Sequence, residues 1–370
     1  MTLTLEQKIG QLLFVGVQGK TVDAETRSMF EAIQPGGVVL FARNIESGAQ
    51  VAELTSQLRS LSKIALLVSI DQEGGRVDRL KSMFFPTPSA ELQREAMDAA
   101  LAYRQGELTA EVLRLLGLNM NFAPVLDVRY HPEANNGLQE RYFGSNAAKV
   151  IRLAGAYLEG LQNNGIVGCG KHFPGLGDVG VDAHAELPIV KRSKDQLWAE
   201  DIAPYRDLFT KLNARLNVVM ISHAHYEGLD NTKVPGSLSH NVVTKLLRDE
   251  MEFKGLTLTD DMEMGAIANS MDFGEACVMA IEAGEDMLLV CQKPERVYQA
   301  HEALVRAVRN GRFSERRISR SLNHIAAIKS IASSPHHYSE MALSRLSEKM
   351  SDLTTMLKTD EATRRDSSQG

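Results

Sequence analysis

Eight short apolar runs, near residues 14, 38, 66, 122, 167, 218, 257 and 288, recur along the chain, and helical sequence follows each of them. Runs such as 38–41 (VVLF) and 65–70 (ALLVSI) do not alternate apolar with polar residues. That pattern is what a strand needs when helices cover both faces of its sheet. Strands of this kind, each followed by a helix, assemble into parallel sheets. Eight βα units in one chain predict the α/β class and a single (β/α)8 TIM-type barrel. The expected helices fall near 6–12, 23–33, 48–60, 89–116, 147–163, 194–212, 239–250, 274–283, 295–309 and 314–331. No shift in composition divides residues 1–333, so they read as one barrel domain.

A tail follows, at 334–370. Ser333-Ser334-Pro335 breaks the last barrel helix. Beyond it, Leu343, Leu346, Met350, Leu353 and Leu357 are spaced alternately three and four apart, an apolar seam along one helix. A seam of about two heptads is marginal alone, so packing onto the same chain is expected, with a homodimer as the other outcome. Residues 359–370 have the polar composition of a disordered end.

Polar clusters sit at the C-terminal ends of most strand runs, on the face where a barrel of this type carries its active site. The largest is 171–188, KHFPGLGDVGVDAHAELP. Three glycines and Pro174 within seven residues suit neither helix nor ladder, so this is a loop. Its two histidines, two aspartates and a lysine point to function. Asp182 and His184 are two apart, which lets the carboxylate hold the imidazole as an acid/base pair requires. The same spacing also fits an Asx-turn beside an unrelated histidine.

Asp260 and Asp261 end the seventh run. Consecutive strand residues face opposite sides, so one reaches the barrel axis and the other supports a loop or helix start. Asp71, Arg79, Arg141, Lys171 and His172 lie at or after strand ends. Such a mixture of cations and a carboxylate suits a polyhydroxylated ligand or a phosphate. His223 and His225 form an H-x-H at a strand end, a spacing that lets two imidazoles reach one ion. No equally clear further ligands accompany them, and packing against the loop is their expected use. No metal and no cofactor are expected.

Composition narrows the partners. A net charge of −6 leaves no basic excess to neutralise phosphates, which argues against nucleic acid. Three widely spaced cysteines, Cys169, Cys277 and Cys291, fit reduced thiols and a cytoplasmic protein. The opening MTLTLEQKIGQLLF has neither a basic leader nor a long apolar run, so neither secretion nor membrane insertion is expected.

The 171–188 stretch resembles the signature of family 3 glycoside hydrolases, in particular their NagZ-type β-N-acetylglucosaminidases, which show K-H-F-P-G-H-G-[DN]-T-x-x-D-S-H. Further segments agree: GGVVLFARN at 36–44, DQEGGRVDRL at 71–80, NFAPVLDV at 121–128, ERYFGS at 140–145, MISHAHY at 220–226, LTLTDDMEMGAI at 256–267 and AGEDMLLVC at 283–291. The resemblance spans residues 3–331. It implies retaining hydrolysis, with Asp260 as nucleophile, His184 as acid/base and Asp182 as its partner. It implies that Asp71, Arg79, Arg141, Lys171 and His172 bind the hydroxyls and N-acetyl group of a terminal sugar. The implied substrates are small carbohydrates, β-linked N-acetylglucosaminides and the muropeptides of cell-wall peptidoglycan recycling. Some relatives are phosphorylases or β-glucosidases, and a sugar-binding protein that lost turnover is a further alternative. Four positions depart from the pattern: Leu176, Val179 and Ala183 in the loop, and Tyr142, whose size is expected to narrow a subsite.

Overall fold

The computed structural model describes residues 3–134, 136–179, 187–212 and 215–367, with side chains described as far as 360. Its strands are β1 (Leu13–Gly16), β2 (Gly37–Leu40), β3 (Leu67–Ile70), β4 (Met120–Asn121), β5 (Val167–Gly168), β6 (Gly170–Phe173), β7 (Ile189–Val190), β8 (Val218–Ile221), β9 (His225–Tyr226), β10 (Leu256–Asp261) and β11 (Met287–Val290). Seven of them form a parallel sheet in the order β3-β2-β1-β11-β10-β8-β6. The wall closes through β4, which pairs in parallel with β5. On its other side β4 meets β3, where the Asn119 and Phe122 N–H groups donate to Val68 and Ile70 at 3.0 and 2.9 Å.

All eight expected runs are therefore staves of one α/β barrel. The fifth is divided: β5 pairs with β4, the chain steps at Cys169, and β6 pairs with β8. Wall residues such as Phe14, Val38, Val68, Met120, Val219, Leu258 and Leu288 are all but inaccessible. Their unbroken apolar character thus reflects burial on both faces. A second small ribbon, β7 with β9, was not evident in the sequence and ties Ile189 to His225.

The stretch 89–116 forms two helices, Ala90–Ala96 and Ala99–Leu115, where one was expected. Met97 takes a left-handed conformation (φ 52°) that ends the first. Asp98 then caps the second, accepting from the Ala100 N–H at 2.7 Å. The local capping preference of Asp98 overrides the continuous apolar periodicity.

The tail forms a helix, Glu340–Ser367, which continues past 359 where the composition suggests disorder. Leu343, Leu346, Met350, Leu353 and Leu357 are all buried in the main core. They pack against the Ala90–Ala96 and Ala99–Leu115 helices of the same chain. Each such side chain contributes about 1.5–3 kcal/mol of burial. The Ser347 hydroxyl also accepts the Phe85 N–H at 2.9 Å, which fastens the tail to the segment that follows β3.

Candidate active site

The C-terminal ends of the staves enclose a cavity of about 600 Å³. Asp71, Arg79, Arg141, Lys171, His172 and Asp260 all line it, so residues spread over 190 positions of sequence converge on one face. Asp182 and His184 lie outside the described residues, as does Ala183.

Lys171, on β6, is the electrostatic centre. Its ammonium lies 2.7 Å from Asp71 and 2.6 Å from Glu73. Burial opposes its charge, but the two carboxylates outweigh burial and hold its pKa above the ordinary lysine value. Arg141 grips Glu73 with two bonds, Nε to Oε2 at 2.7 Å and Nη2 to Oε1 at 2.9 Å. Burial alone would raise the Glu73 carboxyl; Arg141 and Lys171 instead hold it well below the ordinary range. Glu73 did not stand out in the sequence. The signal was the two-residue step from Asp71, which becomes legible only once Lys171 and Arg141 lie opposite.

His172 is oriented by Asp127 at the end of the fourth stave, with Nδ1 at 2.8 Å from Oδ2. The other oxygen of Asp127 accepts the Leu176 N–H at 2.7 Å. One buried carboxylate thus sets the imidazole and the first turn of the 171–188 loop together. Gly177 presses so closely on Val128 that an added Cβ would sit 1.7 Å from the Val128 carbonyl oxygen. Glycine is required there for close approach. Gln72 and Asp78, also buried, brace the segment after β3: Gln72 Nε2 donates to Asp78 at 2.8 Å and to Thr87 at 2.9 Å.

Asp260 ends β10. Burial would raise its carboxyl, yet His172, His223, the Asp261 N–H and Lys171 together bring it below the ordinary carboxylate value. Among those groups the Asp261 N–H donates to Oδ1 at 2.8 Å. Asp261 was expected to face away, but it borders the cavity too. The β10–β11 register shifts between Leu258 and Asp261, and such an irregularity re-aims side chains. Burial, with Glu263 and Asp260 nearby, pushes the Asp261 carboxyl up to about 7. The two neighbouring aspartates are thus shifted in opposite directions.

His223 serves this geometry. Nδ1 meets the Ser237 hydroxyl at 2.7 Å and Nε2 the Asp261 carbonyl at 3.0 Å. His225 lies in the β7–β9 ribbon. Among the described residues no group of three or more histidine, cysteine, aspartate or glutamate side chains is arranged to hold a metal. Tyr142 does not narrow the cavity. It is buried, and its hydroxyl accepts from Asn136 at 2.9 Å. Val179 is buried and its carbonyl accepts from the same Asn136 amide at 3.0 Å. Two of the unusual positions therefore pack on one side chain behind the site.

Residues 4–328 match the family described as Glycosyl hydrolase family 3 N terminal domain. The chain belongs to glycoside hydrolase family 3. Among relatives of this hydrolase, a Beta-hexosaminidase of Alkalilimnicola ehrlichii is 35% identical over 291 residues, 77% of this chain and 82% of that protein. One from Actinobacillus pleuropneumoniae serotype 3 is 33% identical over 298 residues, covering 79% and 84%. The structure of a family 3 beta-N-acetylglucosaminidase from Paenibacillus superposes with a TM-score of 0.89 at 36% identity, over 95% of this chain and 69% of that one. A Beta-N-acetylhexosaminidase from Beutenbergia cavernae superposes with a TM-score of 0.82 at 28% identity, over 89% and 99%. Among the described residues of this glycoside hydrolase, no helix is long and apolar enough to cross a membrane.

Proposed function

We propose that the chain is a retaining exo-β-N-acetylhexosaminidase that removes terminal β-linked N-acetylglucosamine. The observation that carries this reading is the Asp260 carboxylate, held ionised at the end of β10 in a cavity shared with Lys171, His172 and Arg141. Asp260 attacks the anomeric carbon and forms a glycosyl-enzyme ester. As the glycosidic bond breaks, His184 gives its proton to the departing oxygen and Asp182 steadies the imidazolium. His184 then takes a proton from water, which attacks the ester and frees the sugar with its β configuration retained. A histidine suits this double duty because its ordinary pKa, ~6.5, lies near neutral pH.

The fixed charges of Lys171, Arg141, Asp71 and Arg79 offer directional bonds to ring hydroxyls, and His172 offers its remaining nitrogen. The names of the relatives support an N-acetylhexosaminide as substrate. Muropeptides of peptidoglycan recycling, processed in the cytoplasm, are the natural substrates we propose.

The test is turnover of p-nitrophenyl N-acetyl-β-glucosaminide by the wild type and by Asp260→Ala, with mass analysis of products from muropeptides in the presence and absence of phosphate. Asp260→Ala is expected to lose a factor of roughly 10⁴ or more. Wild-type turnover in that variant would remove the nucleophile assignment. A sugar 1-phosphate among the products would replace hydrolysis by phosphorolysis.

A further inference from the structure

The opposite end of the barrel carries a second polar feature with no part in the chemistry above. A cavity of about 320 Å³ opens between the entry to β3, the start of β4 and the segment that leaves the last barrel helix. Arg59, Lys63 and Lys329 line it, with the hydroxyl residues Ser333 and Ser334, and among the described residues no carboxylate does. Arg59 also borders an adjoining cavity of about 520 Å³, beneath the 335–338 segment with His336 and His337. Its one acid, Glu53, already accepts from Gln57 at 2.7 Å. A basic surround of this kind is unexpected in a chain with a net charge of −6.

Two of these cations lack a counter-charge. Among the described residues the Lys329 ammonium meets only the neutral Gln11 amide oxygen, at 2.7 Å. Arg59 reaches its own helix weakly, Nη1 to the Thr55 carbonyl at 3.4 Å, while Nη2 is buried without a partner. Burial lowers both groups, Lys329 to about 7 and Arg59 to about 10. Two other buried cations are paired: Lys171 with Asp71 and Glu73, and Arg248 with Asp286 at 2.6 Å. Leaving a buried charge unpaired is costly; the amine can shed its proton, or a bound anion can compensate the charge.

We propose that this cavity binds an anionic small molecule through its phosphate group, held by Lys329, Arg59 and Lys63. Its volume exceeds what a single orthophosphate fills, so a phosphomonoester with a small polar body is the fitting class. The site lies at the far end of the barrel from Asp260, so its occupancy and glycoside turnover are separable.

Isothermal titration of the full chain with inorganic phosphate and with glycerol 3-phosphate, at constant ionic strength and with saturating N-acetylglucosamine in the active site, tests the proposal. One site with a Kd of about 1 mM or tighter is expected for at least one probe. Lys329→Met is expected to weaken it at least ~10-fold, as the loss of a charged hydrogen bond does, while turnover of the aryl substrate stays unchanged. Arg59→Met provides the same reading should the lysine variant fail to fold. Absence of binding by both probes to the wild type, or unaltered affinity in both variants, would overturn it.

Discussion

Replacing Glu73 with glutamine tests the electrostatic centre most directly. The substitution keeps the shape but removes the charge that Arg141 and Lys171 share at 2.6–2.9 Å. It also turns an amide NH₂ toward two donors. Removing one member of a buried pair costs about 3–5 kcal/mol, because the remaining charge is left uncompensated. Asp71 still faces Lys171, so the lower half of that range is expected for stability. At ~2.1 cal/mol/K per residue, the 370-residue chain has an unfolding entropy of about 0.8 kcal/mol/K, so a loss of about 3–4 kcal/mol lowers Tm by about 4–5 °C.

The loss has a pH signature. The folded-state pKa of Glu73 lies below its unfolded value of ~4.3. Its contribution is therefore fully present above that value and is lost as pH falls toward the folded one. The Tm gap between wild type and Glu73→Gln should be widest above about pH 5 and should narrow as pH drops to ~3. Steady-state kinetics on the aryl substrate should show a raised KM, since Lys171 and Arg141 line the cavity of the proposed sugar site. A variant with wild-type Tm, no pH-dependent gap and unaltered KM would refute the reasoning.

Further outcomes follow from the same geometry. His184→Ala should lose less rate on the nitrophenyl substrate than on chitobiose, because an activated leaving group needs little protonation; equal losses would exclude the general-acid role. Asp127→Asn should cut kcat/KM by ~10–100-fold, since it exchanges the charged acceptor of His172 and of the Leu176 N–H for a neutral one; unchanged kinetics would show that Asp127 does not orient the imidazole. Met350→Ala, in the fully buried seam of the tail, should cost ~2–5 kcal/mol and lower Tm by ~3–6 °C in calorimetry while leaving kcat in place. A negligible Tm change there would mean that the tail is not part of the cooperative core.

Some of this was legible from residue order alone. The eight apolar runs and the helical sequence after each specify a barrel, because strands covered on both faces leave a strong and repeated signal. The seam of Leu343, Leu346, Met350, Leu353 and Leu357 likewise announces a docked helix, since a buried stripe needs fixed spacing. Asp71, Arg79, Arg141, Lys171, His172 and Asp260 could be singled out because they follow strand ends, and the barrel gathers those ends on one face.

Tertiary structure decided the rest. Glu73 and Asp127 matter through partners 68, 98 and 45 positions away, and no local pattern records such pairings. The irregular β10–β11 register brings Asp261 to the cavity, although alternation alone would turn it aside. Tyr142 looks like a subsite residue in sequence and proves to be buried beside Asn136, because its neighbours in space, and not its size, set its role. Arg59 and Lys329 are ordinary helix residues until folding half-buries both beside one cavity, with no carboxylate among its described lining residues. Sequence periodicity dictates which faces are buried; only the closed barrel determines which charges meet inside it, since electrostatic energy depends on distances that the chain order does not contain.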